Sequence, residues 1–132
     1  MAKKGYVADI EKLTVENTDF RRVLYTGQHL QLVLMALKPG EEIGEEVHDD
    51  RDQFFRVEEG SGTVVIDGAE NPVKDDDVAI VPAGARHNVI AGPDGLKVYT
   101  LYGPPEHRLD VVHHTKPEAE KDEEHWDGRT TE

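Results

Sequence analysis

Residues 40–60 read GEEIGEEVHDDRDQFFRVEEG. On a β-strand, residues two apart share a face, so Glu46 and His48 can stand side by side on one side of a strand. After a four-residue excursion the chain can return on a neighbouring strand, on which Gln53, Phe55 and Val57 share a face. A second stretch, DDVAIVPAGARHNVIA at residues 76–91, carries Pro82-Ala83-Gly84 between two apolar runs. Proline presets φ and glycine tolerates positive φ, so this is a turn. His87 lies just past it and is expected to point inward with Val89.

The flanking sequence repeats the same grammar. Phe20 to Thr26 is β-like, and Leu30 to Leu37 is a nearly continuous apolar run closed by Lys38-Pro39-Gly40. Thr63 to Ile66 ends at Asp67-Gly68, a strong hairpin signal. Glu59-Gly60-Ser61-Gly62 and Gly92-Pro93-Asp94-Gly95 read as turns, the second leading into Leu96 to Tyr102. Short strands at regular spacing with almost no helical periodicity predict an all-β sandwich or barrel. From Pro104 onward the apolar content falls; Pro117 can open a short helix running to Glu124, with Trp126 pinning the tail to the barrel or to a second subunit. The expected division is therefore a barrel over residues 1–103 and a tail over 104–132.

Composition narrows the chemistry. With 132 residues there is room for one core. No apolar run reaches the roughly 18 residues of a membrane span, and the chain is expected to be cytoplasmic, with no membrane partner. Cysteine is absent, so any transition metal must be held by nitrogen and oxygen donors, and the seven histidines become the candidates. The formal charge of −13 argues against nucleic acid, which needs a Lys/Arg footprint. Glu46, His48, Gln53 and His87 are the candidate ligands. Two imidazoles with oxygen donors suit Fe, Mn, Co, Ni, Cu or Zn better than Ca or Mg. His107, His113, His114 and His125 sit in the tail and are expected to be solvated polar residues.

At these residues the sequence resembles the cupins. Their first motif, glycine, five residues, His-x-His, three or four residues, Glu, six residues, glycine, is matched in spacing by Gly40, Glu46-Val47-His48, Gln53 and Gly60. Their second, glycine, five residues, Pro-x-Gly, two residues, His, three residues, Asn, is matched by Asp76, Pro82-Ala83-Gly84, His87 and Ala91. The resemblance covers residues 40–91 closely and the flanking strands loosely. It implies a double-stranded β-helix, or jelly-roll, barrel with one divalent transition metal ion at its centre and a small-molecule substrate entering at one mouth. Two ligand positions depart from the pattern, Glu46 standing for a histidine and Gln53 for the glutamate. Either Glu46 replaces the lost charge at the metal, or it swings to solvent and leaves His48, Gln53 and His87 as a three-ligand face. Asp tolerates the left-handed conformation, so Asp76 is expected to serve in the turn.

The functional expectation is a metal-dependent oxidoreductase of dioxygenase-like type, with a carbohydrate or diol as the candidate substrate. Sugar isomerisation of the mannose-6-phosphate isomerase kind and non-catalytic binding of a metal or small ligand stand as alternatives. A phosphosugar calls for a basic clamp, for which Arg51, Arg56 and Arg86 are the nearby candidates. Met35, Phe55, Tyr99 and Leu101 are the expected pocket lining, beside their ordinary role as core. The Leu30 to Leu37 run is more apolar than a half-exposed strand needs, and with the family resemblance it predicts a homodimer.

Overall fold

A computed structural model describes residues 2–132. In chain order the elements are α1 (Ile10–Glu16), β1 (Arg21–Thr26), β2 (Gln31–Leu37), β3 (Glu46–Val47), β4 (Asp52–Ile66), β5 (Ala69–Lys74), β6 (Val78–Val81), β7 (Arg86–Gly103), β8 (Val112–His113) and α2 (Lys116–Lys121). The strands order as β5-β4-β7-β2-β1-β8, with β3 added to β7 and β6 to β4. Every pairing is antiparallel. This is the all-β jelly-roll barrel expected from the turn-and-strand pattern.

Two long strands organise the barrel, and they differ from the sequence reading. The glycine-rich segments Glu59–Gly62 and Gly92–Gly95 do not reverse the chain; β4 and β7 run straight through them. These strands pair from Asp52 opposite Gly103 to Ile66 opposite His87, with register shifts between Val57 and Glu59 and between Gly60 and Gly62. Gly60 has φ +97°, and a β-carbon there would collide with the Gly95 carbonyl, as one at Gly62 would with that of Ile90. The glycines thus let two ribbons bend together at close approach, the role of a β-bulge rather than a turn. At Asp67-Gly68 the chain does reverse, both residues at positive φ, and Asp76 also adopts positive φ.

Alternation then decides what faces inward. Gln53, Phe55 and Val57 of β4, Val98, Thr100 and Tyr102 of β7, and Gln31, Val33, Met35 and Leu37 of β2 are all buried. Each buried Phe, Met, Leu or Val contributes roughly 1.5–3 kcal/mol. Leu34 points the other way and is also buried, lining a cleft with Leu13 of α1. That helix was not anticipated. Asp9 caps it, its Oδ1 accepting from Lys12 N at 3.2 Å.

Beyond residue 103 the tail adds a strand to the sheet. β8 pairs with β1, His113 opposite Arg21, and Val111 belongs to the core. α2 begins behind Thr115, whose side chain accepts from Glu118 N, with Pro117 in its first turn. Trp126 N donates to the Glu106 carbonyl at 2.8 Å and ties the end of the chain back. The expected solvation of the tail histidines holds for His114 and His125, while His107 and His113 are buried. No helix among the described residues is long and apolar enough to cross a membrane.

Candidate metal centre

β3 lies against the start of β7, and Glu46 is the direct cross-strand partner of His87. His48 follows two residues later, its carbonyl accepting from Gly84 N at 2.8 Å. Gly84 takes φ +88°, as a glycine can at little cost. The turn before His87 therefore also anchors His48. One ligand atom from each of Glu46, His48 and His87 lies within 4.8 Å of the others, and the two imidazole centroids are 5.3 Å apart.

The polar atoms between these residues are poorly satisfied by one another. His48 Nε2 is 2.9 Å from Glu46 Oε2, yet it is buried without a hydrogen-bond partner. The two atoms are close without being aligned as donor and acceptor, an arrangement suited to two ligands that share a cation. His87 Nδ1 lies 3.3 Å from the Ala85 carbonyl. A carbonyl can only accept, so the proton sits on Nδ1 and Nε2 is left with a free lone pair, as a metal ligand requires. Burial pushes His87 below its ordinary value, and the nearby His48 adds to this against the opposing Ala85 hydrogen bond. The neutral, ligating form is favoured. The adjacent Glu46 carboxylate raises His48 against its partial burial. Burial opposes ionisation of Glu46, but the contact and charge of His48, then Arg21 and His87, outweigh it and hold the carboxyl below its usual range.

Outer partners support this group. Glu106 Oε2 lies 3.5 Å from His48 Nδ1 and 2.7 Å from Arg51 Nη1, the carboxylate–histidine arrangement that orients metal-binding imidazoles. Gln53 Nε2 donates to Thr100 Oγ1 at 3.0 Å, while its Oε1 is buried with no partner. Tyr102, opposite Gln53 in register, presents its ring edge-on to His48 at 6.0 Å. Its hydroxyl lies 3.3 Å from His107 Nε2, and His107 Nδ1 is 2.6 Å from Glu124 Oε2. Burial drives the Tyr102 hydroxyl strongly upward, so it stays protonated. Sequence reasoning missed Arg21, Glu106, His107 and Glu124 as members of this assembly. Only Arg21 left a trace, a cation in step with the apolar inward position of Val23.

The expected pocket lining is corrected in part. Met35 and Phe55 are core residues, Phe55 packing 6.5 Å from the His87 ring. Tyr99 and Leu101 lie on the opposite face of β7 from Thr100 and Tyr102, and Tyr99 packs on Phe54 at 6.1 Å. The cleft above Glu46 and His48, about 450 Å³, is walled instead by Phe20, Arg21 and Ile43 of the barrel and by Glu106, His107 and Glu124 of the tail.

The family model of the cupin domain matches residues 33–102, which span Glu46, His48, Gln53 and His87. The chain is a cupin. It is 43% identical over 123 residues to the uncharacterized protein YrkC of Bacillus subtilis, covering 88% of this chain and 66% of that protein. This cupin thus spans just under two thirds of that relative's length. The crystal structure of BH2720 from Bacillus halodurans is similar at a TM-score of 0.88 and 42% identity, covering 90% of this chain and 96% of that one. A shorter match, 38% identical over 45 residues, covers 34% of this cupin and 30% of the dimethylsulfoniopropionate lyase DddW of Ruegeria pomeroyi.

Proposed function

We propose that this cupin is a metal-dependent enzyme acting on a small molecule, of oxidoreductase, dioxygenase-like type. The observation that carries the reading is the convergence of His48, His87 and Glu46, with ligand atoms within 4.8 Å of one another. Two histidines and one carboxylate with open positions are the donor set of non-haem iron oxygenases. A divalent transition metal held there would supply Lewis-acid or redox chemistry at its open positions. His87 and His48 would be the nitrogen ligands and Glu46 the charged oxygen ligand. The buried Gln53 Oε1 is a candidate fourth donor. Glu106 would orient His48, and Ala85 would fix the tautomer of His87. The buried, protonated Tyr102 and the His107–Glu124 pair form a hydrogen-bonded wall beside the site. In a dioxygenation both oxygen atoms enter the substrate, so no external reductant is needed.

Sugar-phosphate isomerisation loses support from the ion pairs. Arg51 is engaged by Asp50 and Glu106, Arg56 by Glu58 and Asp76, and Arg86 by Glu45, which leaves no basic clamp among them. A lyase reading has one observation in its favour, the 45-residue similarity to DddW. One experiment separates these possibilities. Protein purified without added metal is assayed for bound metal by mass spectrometry, then for oxygen uptake and for anaerobic turnover against diols, sugars and small acids. Near-stoichiometric metal with oxygen uptake is expected; turnover that persists without oxygen would move the assignment to a lyase or isomerase. Metal without turnover would make it a binding protein.

A further inference from the structure

One buried cation in the cleft acts on the centre described above only through its charge, with hydrogen-bond donors left unspent. Arg21 opens β1 and is only 8% exposed, and it lines the cleft above Glu46 and His48. Its Nη1 donates to His113 Nδ1 at 3.2 Å, and its Nε is buried without a partner. A guanidinium can only donate, so His113 Nδ1 accepts and the ring's proton is on Nε2, facing Asp122 Oδ2 at 3.0 Å. His113 is therefore a neutral partner. The Phe20 ring, 5.4 Å from the guanidinium carbon, offers a cation–π contact but no counter-charge.

The carboxylates nearby are already engaged. Glu46 lies against His48 at 2.9 Å, Glu106 against Arg51 at 2.7 Å and Glu124 against His107 at 2.6 Å. Asp122 is shared by His113 at 3.0 Å and Arg108 at 3.5 Å. Glu120 and Glu123 stand exposed on the rim, where water screens them. An isolated cation is expensive to bury unless an anion meets it, and the planar guanidinium fork matches a carboxylate in two-point fashion.

We propose that Arg21 binds the carboxylate of a small organic acid, whose second oxygen donor reaches across the same cleft toward Glu46 and His48, the cleft-facing members of the Glu46, His48 and His87 group. This substrate class rests on the reading of those three residues as a metal centre. The three basic residues singled out from sequence proximity are each paired with a carboxylate, whereas among the described residues Arg21 bonds only to the neutral His113 and keeps its Nε without a partner.

Glycolate and its neutral isostere glycolamide, titrated calorimetrically into metal-loaded wild-type, R21K and R21Q protein, test the assignment, with bound metal quantified in each sample. Wild type is expected to prefer glycolate by about ten-fold or more, as a charge-assisted hydrogen-bonded pair provides. R21K should keep part of that preference and R21Q none, both with unchanged metal content. Equal affinity for the two compounds in wild type would overturn the proposal without requiring any variant to fold. Acetate and acetamide, titrated into chelator-treated protein, separate this idea from the metal reading. An acetate preference that R21Q abolishes upholds Arg21 even if wild type retains no metal. Retained metal with no preference for either acid keeps the centre and removes this role from Arg21.

Discussion

His87 and His48 reach one point with unequal support. His87 is buried in an 18-residue strand with its tautomer held by Ala85, whereas His48 lies just beyond the two-residue β3 and leans on Glu106. Replacing either imidazole by alanine should lower metal affinity by more than about 100-fold, beyond the 10–100-fold range of outer partners. Gln53→Glu should retain or strengthen binding, because a carboxylate is the better donor. Metal content after dialysis against a graded chelator reads all three; full occupancy in His87→Ala would remove that residue from the ligand set. The inward placement of these positions was legible from strand alternation and turn chemistry, and their candidacy as ligands from the match to the cupin motif spacing. Tyr99 and Leu101 were not, for a physical reason. In Val98-Tyr99-Thr100-Leu101-Tyr102 the polar Thr100 faces the interior and the apolar Leu101 faces out, so hydrophobicity gives no clue to the faces.

Among the elements, the tail departs most from its sequence reading. Its low apolar content predicted no strand there, yet it adds β8 to the sheet and walls the cleft through polar contacts. Such contacts leave no periodic signature, since the partners of Glu124 are His107 Nδ1 at 2.6 Å and Arg108 N at 2.7 Å. Burial opposes ionisation of Glu124, but the hydrogen bond and charge of His107 prevail and its carboxyl sits below the ordinary 4.5. A depressed carboxylate contributes stability that is present above its unfolded value and lost as pH falls through the folded one. Glu124→Gln should accordingly cost about 1–3 kcal/mol near neutrality, with the gap to wild type closing as pH drops below 4.5. Chemical denaturation at a series of pH values measures it; a gap constant with pH would show that the charge of Glu124 does not matter. The bends of β4 and β7 were likewise hidden, because glycine marks a reversal and a close backbone crossing in the same way.

For the molecule as a whole, the outer face of the sheet carries an unbroken apolar row. Ile80 pairs with Phe54, Phe54 with Leu101, and Leu101 with Leu32, and Ile80 is 61% exposed. α1 covers Leu34 nearby, so part of the Leu30 to Leu37 run is satisfied within the chain. We propose the row that is left as the contact surface of a homodimer. Light scattering should return a dimer for wild type and a monomer for Ile80→Lys. Added salt should favour the dimer by screening repulsion between two chains of formal charge −13. A monomer under all conditions would retire the assignment. This row lies on the opposite side of β4 and β7 from Gln53, Thr100 and Tyr102. Two copies joined there would stand back to back, each cleft a chamber opening away from its twin. Neither chamber would sense whether the other was filled, and saturation curves should stay hyperbolic, with a Hill coefficient of about one in paired and solitary forms alike.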